Sequence, residues 1–106
     1  MSKLRMTPQQ MRVQARKAVS LLKLLGNEDR LLLLCQLAQG EYSVGQLEEM
    51  LEIHQPTLSQ QLGVLRRAGL VSTRKEGKQV YYRMADESAI AVINTLYEQY
   101  CNETQP

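Results

Sequence analysis

Residues 54–84, which read HQPTLSQQLGVLRRAGLVSTRKEGKQVYYRM, constrain the chain more than any other stretch. Leu58, Leu62 and Leu65 recur at helical spacing and give one apolar face. The opposite face carries Gln55, Thr57, Ser59, Gln60 and Gln61, with neither Glu nor Lys among them. Pro56 fits the first turn of this helix, and Gly69 is a left-handed stop after Ala68. Leu70–Lys75 and Gln79–Met84 then alternate as two strands around the turn signal Glu76-Gly77. A polar-faced helix leading directly into a basic hairpin is how a small domain lays a helix in a DNA groove and a loop along the neighbouring phosphates.

The charge distribution agrees. The chain has 13 basic and 11 acidic residues, yet residues 54–84 hold Arg66, Arg67, Arg74, Lys75, Lys78 and Arg83 against Glu76 alone. A basic module on an otherwise acidic chain matches a phosphate backbone better than diffuse positive charge does. Thr57, Ser59 and Gln60, early in the helix, are the base-reading candidates, with Gln55 and Gln61 beside them; Gln can pair in bidentate fashion with adenine. Arg66, Arg67, Arg74, Lys75 and Lys78 are assigned to phosphates, which give affinity and register but no sequence information.

The rest of the chain is helical. Met11, Ala15, Ala18, Val19, Leu22 and Leu25 form a stripe over residues 8–25, opened by Thr7-Pro8 and closed by Gly26. Asn27 caps a nearly all-apolar helix over 28–39, which is expected at the centre and ends at Gly40. Ser43 with Gln46 makes a capping box for a third helix whose inner face is Val44, Leu47 and Leu51. Its outer Glu48, Glu49 and Glu52 would resist lying on phosphates, which leaves the fourth helix as the inserted element. A last helix, about 86–101, carries Ala89, Ile90, Ile93, Leu96, Tyr97 and Tyr100 on one face. The expected fold is mainly α, a winged helix-turn-helix in the order α-α-α-α-β-β-α, as a single domain over 1–106. At 106 residues without Trp or Phe, the core is modest and is expected to borrow surface from a second copy, giving a homodimer.

Over nearly its whole length the chain resembles the ArsR/SmtB family of dimeric bacterial repressors. The segments that carry this are Leu21-Leu22-Lys23 with Asn27-Glu28-Asp29-Arg30-Leu31, then Gly40 to Leu47, Pro56 to Leu62, Leu65-Arg66, Ala68 to Val71, and Val80-Tyr81-Tyr82-Arg83 in the wing. The resemblance implies a homodimer joined through the first (8–25) and last (86–101) helices on a near-palindromic double-stranded operator. Many members sense metals, and here the sequence departs from them. Arsenic-type members carry C-V-C where this chain has Ser43-Val44-Gly45, and zinc-type members place His ligands on the last helix, where residues 86–101 have none. The single histidine, His54, lies in the turn before the fourth helix, where capping or a phosphate contact is expected. No metal site or cofactor is therefore assigned.

Two cysteines, Cys35 in the second helix and Cys101 near the end of the last, match a thiol- and sulfide-sensing branch of the family. That resemblance implies a switch in which persulfides or oxidants, reactive sulfur species among them, link the two sulfurs reversibly and release DNA. Closing such a loop would restrict the unfolded chain by roughly 4 kcal/mol in the entropy description. Both cysteines fall toward helix C-termini, where the dipole disfavours a thiolate, so activation has to come from tertiary neighbours such as Arg30 or Lys23. The alternative, that the two are separate small hydrophobes, stays open. So do a ligand-independent regulator that displaces another DNA-binding protein and a metal-sensing repressor. An enzyme is not expected: there is no C-x-x-C and no nucleophile–base constellation. A pure protein-interaction module would not need a basic wing. With no signal peptide and no apolar run long enough to span a bilayer, the chain reads as cytoplasmic, working at the nucleoid and away from membranes, where thiols are normally reduced.

Overall fold

Thr7, Asn27, Ser43 and Asp86 each accept the backbone N–H three residues further on, and these four caps set where four of the five helices begin. In the computed structural model, which describes residues 5–101, the helices are α1 (Pro8–Leu25), α2 (Glu28–Leu37), α3 (Val44–Leu51), α4 (Thr57–Arg67) and α5 (Glu87–Tyr100). Thr7 with Gln10 and Ser43 with Gln46 close full capping boxes, each glutamine returning a bond to the cap N–H. Pro56 is the N-cap of α4 rather than part of its first turn, and no side chain caps that end.

The sheet has three antiparallel strands in the order β1-β3-β2, where β1 is Tyr42–Ser43, β2 is Val71–Glu76 and β3 is Gln79–Met84. The hairpin is the expected one, although the two residues outside its strands are Gly77 and Lys78; Gly77 sits at φ 64°, where a side chain would be strained. The strand β1 adds an element to the expected order. Tyr42 and Ser43 pair with Tyr82 and Tyr81, so the start of α3 hangs from the wing strand.

Leu33, Leu34 and Leu37 of α2 lie in the middle of the core, and Leu47, Leu58, Leu62, Leu65, Ala89 and Ile93 close around them. The helix ends at Leu37, two residues before its expected limit. α3 ends on Glu52, held left-handed at φ 57°, and Ile53 is buried in the turn that follows. α1 is the exception to this packing. Only Leu25 of its 18 residues is buried, and Met11, Val19 and Leu22 are about half exposed. The radius of gyration is 15.9 Å, against about 13 Å for a compact chain of this length. No helix among the described residues is long and apolar enough to cross a membrane.

Candidate nucleic-acid interface and cysteine pair

Leu58, Leu62 and Leu65 are completely or almost completely buried, and that burial fixes which way α4 turns. Gln55, Ser59 and Gln60 are exposed and Thr57 is half-buried at the first helical position. Ser59 Oγ donates to Gln55 Oε1, so the two form one local polar unit at the start of the helix. Gln61 differs from the sequence expectation. It is half-buried, and its Oε1 accepts a 3.0 Å bond from Arg30 Nη1, which turns the side chain toward the α1–α2 corner.

The basic residues divide in a similar way. Arg66 and Arg67 at the end of α4, Lys75 on β2 and Lys78 at the hairpin tip are exposed, and among the described residues none has an ion-pair or side-chain hydrogen-bond partner. Arg66, Arg67, Ser59, Gly63 and Tyr82 line an open notch of about 440 Å³ between α4 and the wing. Arg67 folds back across Gly63, where an added Cβ would stand 3.2 Å from its Nη1.

Arg74, also expected at a phosphate, is occupied within the protein. Its Nε donates to both Glu41 oxygens at 3.0 and 2.9 Å, Nη1 donates to Glu76 at 2.8 Å, and the guanidinium lies 4.7 Å from the ring centre of Tyr81, its cross-strand partner. Those bonds hold the Glu41 carboxyl below the usual carboxylate range and push Arg74 up. The pair therefore survives mild acidification and anchors the wing to the loop before β1. His54 Nδ1 lies 3.4 Å from Glu48 Oε2, facing back along the helix-turn-helix.

Cys35 lies in the last turn of α2, half-buried, and Cys101 is the exposed C-cap residue of α5. Both are at helix C-terminal ends, as their sequence positions imply. Ile93, Tyr97 and Cys101 follow one another at four-residue intervals on α5. The first two help line a cavity of about 260 Å³ beside Cys35, together with Ala38, Gln39 and Asn94. Burial pushes the Cys35 thiol above its ordinary value, and the charge of Cys101 pushes it further, which puts the two sulfurs within electrostatic range. Among the described residues, no cation offsets these two causes. The Arg30 guanidinium is committed to Leu24 O, Lys23 O and Gln61, on another side of α2. Among the described residues, no three His, Cys, Asp or Glu side chains gather as a metal set would.

A raised pKa makes the thiol form of Cys35 dominant at neutral pH. Its alkylation by iodoacetamide, followed by mass spectrometry across pH, should rise with a midpoint above that of an ordinary thiol. Cys101→Ser should lower that midpoint only part of the way, because burial is the larger cause. A midpoint at or below the ordinary thiol value would contradict the burial argument.

Comparison with known proteins brings these features together. Residues 27–73 match the family described as bacterial regulatory protein, arsR family. The biofilm growth-associated repressor of Agrobacterium fabrum is 55% identical over 91 residues, which covers 86% of this chain and 78% of the relative. The crystal structure of the transcriptional repressor BigR from Xylella fastidiosa superposes with a TM-score of 0.83 at 48% identity, covering 91% of this chain and 98% of that one. Reduced HlyU from Vibrio cholerae superposes at 0.85 with 47% identity, covering 88% and 98%.

Proposed function

From the premise that this chain belongs to the arsR family of bacterial regulatory proteins, and is a DNA-binding transcriptional repressor rather than an enzyme, we propose that its operator affinity is switched by reversible linking of Cys35 and Cys101. The observation that carries the switch is the cavity between α2 and α5, which Cys35 lines together with Ile93 and Tyr97, the latter one turn before Cys101. That one similar structure is described as reduced HlyU supports a redox reading.

The chemistry balances with an organic persulfide as oxidant. One cysteine thiolate takes the outer sulfur of RS–SH, leaving RSH and a protein persulfide. The second cysteine attacks the inner sulfur of that persulfide, forms the S–S bond and expels hydrogen sulfide. Two protein thiols are oxidised, and the sulfane sulfur leaves reduced. Cys101 is open to the reagent, whereas Cys35 meets solvent through the small cavity beside it.

In this reading two copies join through α1 and α5. The exposed stripe of α1, the exposed Tyr97 and Tyr100 of α5 and the extended shape support this. Gln55, Thr57, Ser59 and Gln60 face the groove floor, and Arg66, Arg67, Lys75 and Lys78 take phosphates. Gln61 and Arg74 act from within the protein, as brace and wing anchor.

Gln60→Ala should cut affinity for the operator by on the order of 10- to 100-fold and leave random duplex binding unchanged. Lys78→Ala should weaken binding to both and lower the slope of log affinity against log salt by about one. Fluorescence anisotropy at several salt concentrations separates the two. Equal losses on operator and random DNA from Gln60→Ala would remove that residue from base reading.

A further inference from the structure

Arg30 joins three helices with one side chain. Its backbone N–H bonds the Asn27 cap at 3.0 Å, which fixes it in the first turn of α2. Its Nε donates to Leu24 O at 2.8 Å and Nη2 to Lys23 O at 3.2 Å, two carbonyls in the last turn of α1, the second of which also accepts the Gly26 N–H at 3.3 Å. The cation therefore sits at the negative end of the α1 dipole. The remaining arm, Nη1, reaches Gln61 Oε1 in the middle of α4 at 3.0 Å. Among the described residues this is the sole hydrogen bond between α4 and the α1–α2 pair, beside the apolar core that Leu33, Leu34, Leu58, Leu62 and Leu65 share.

That difference matters for aiming a helix. Leucine packing is non-directional, so α4 could roll by a few degrees on Leu33 and Leu34 at little cost. A planar guanidinium held at two points on α1 and aimed at one amide is directional. Gln61 is the neighbour of Gln60, about 100° around the helix axis, so fixing one side chain fixes the azimuth of the other.

We propose that Arg30 is a positioning residue for DNA reading, locking the rotation of α4 to the C-terminal end of α1 through Gln61. The proposal rests on the reading that the exposed face of α4 meets the groove. If α1 also holds the second copy, the same link sets both reading faces against a single frame.

The probe is a duplex selected from a random-sequence library by the reduced, full-length wild-type protein, with random duplex as the comparison. Gln61→Leu removes the acceptor at similar volume, Gln61→Glu keeps it, and Arg30→Lys loses the fork. Gln61→Leu should lower affinity for the selected duplex about tenfold and spare random DNA. The loss should spread over several base pairs of the half-site in a substitution scan. Gln61→Glu should stay within about twofold of wild type, because a carboxylate still accepts from Arg30. The double variant Arg30→Lys with Gln61→Leu should bind no worse than Arg30→Lys alone. Thermal melts identify variants that fail to fold, and the exposed edge of Gln61 keeps its own substitutions mild.

The proposal is overturned if Gln61→Glu loses as much as Gln61→Leu, which would put Gln61 against DNA. It is also overturned if the loss maps to a single base pair, if the two losses add, or if Gln61→Leu binds like wild type. Should the wild-type protein itself select no duplex over random DNA, the DNA-reading function fails rather than the role of Arg30 alone.

Discussion

Replacing Val19 and Leu22 together by glutamate is expected to leave a folded monomer whose operator affinity is lower by on the order of a hundredfold or more. The two side chains are 47% and 56% exposed, one turn apart on the apolar stripe of α1. Neither belongs to the core around α2, which keeps Leu33, Leu34, Leu47, Leu58, Leu62 and Leu65 intact. In an isolated chain the change would therefore cost little. In a homodimer it buries four carboxylates in an apolar seam, which such an interface does not tolerate without partners. A dimer on a two-part operator gains its affinity by making the second half-site contact intramolecular, and a monomer forfeits that gain. Sedimentation velocity reads the mass, and anisotropy on operator and single half-site duplexes reads the affinity. Halved mass, weak operator binding and an unchanged half-site affinity are expected. Unchanged mass would move the second copy away from α1.

The second large effect concerns the sulfurs. Treatment of the wild-type protein with an organic persulfide should lower operator affinity about 10- to 100-fold, the usual range of coupling between two sites. Cys35→Ser and Cys101→Ser should each hold their affinity within about twofold under the same treatment. A disulfide needs its two Cβ atoms about 3.8 Å apart. Closing one would draw the C-terminal end of α5 against the last turn of α2, and bridges with additional sulfurs would draw it less far. The end of α5 also carries Tyr97 and Tyr100, exposed on the expected dimer face, so the bond acts where the two copies would meet. The same reagent should strike Cys35 slowly in Cys101→Ser, since burial alone keeps its thiol protonated at neutral pH.

Where local chemistry decides, the structure was legible in the sequence. Thr7, Asn27 and Ser43 with Gln46 each satisfy backbone donors three residues away, and those helices begin where the caps stand, whereas Asp86, expected inside the last helix, is the cap of one that starts at Glu87. The leucine spacing of α4 gave its buried face, and Gly69 takes the left-handed conformation expected of it at φ 81°. Less legible were features set by distant partners. β1 is two residues long and exists because the edge of β3 is there to pair with, a signal no periodicity carries. Glu52 at φ 57° has no glycine or asparagine to announce it.

The candidate site follows the same division. Helical spacing put Gln61 on the polar face, but its partner, Arg30, is 31 positions away. Charge put Arg74 with the phosphate ligands, but Glu41, 33 positions away, holds it. Arg66, Arg67, Lys75 and Lys78 were assigned by the same reasoning and stand exposed without protein partners among the described residues. Arg30, named with Lys23 as a neighbour that could activate Cys35, instead serves α1 and α4, and the five-residue spacing between Arg30 and Cys35 is not one that brings two side chains together on a helix.

The switch is tested most directly by measuring intact mass and operator affinity on one sample of the reduced wild-type protein, before and after an organic persulfide. The account predicts a chain lighter by about two daltons, or heavier by whole sulfur atoms less two hydrogen atoms, with peptide mapping joining Cys35 to Cys101. It predicts that operator affinity falls in step with the linked fraction and returns on reduction. A linked chain that still binds the operator at full strength, or a chain that loses the operator with both thiols still separate, would contradict it.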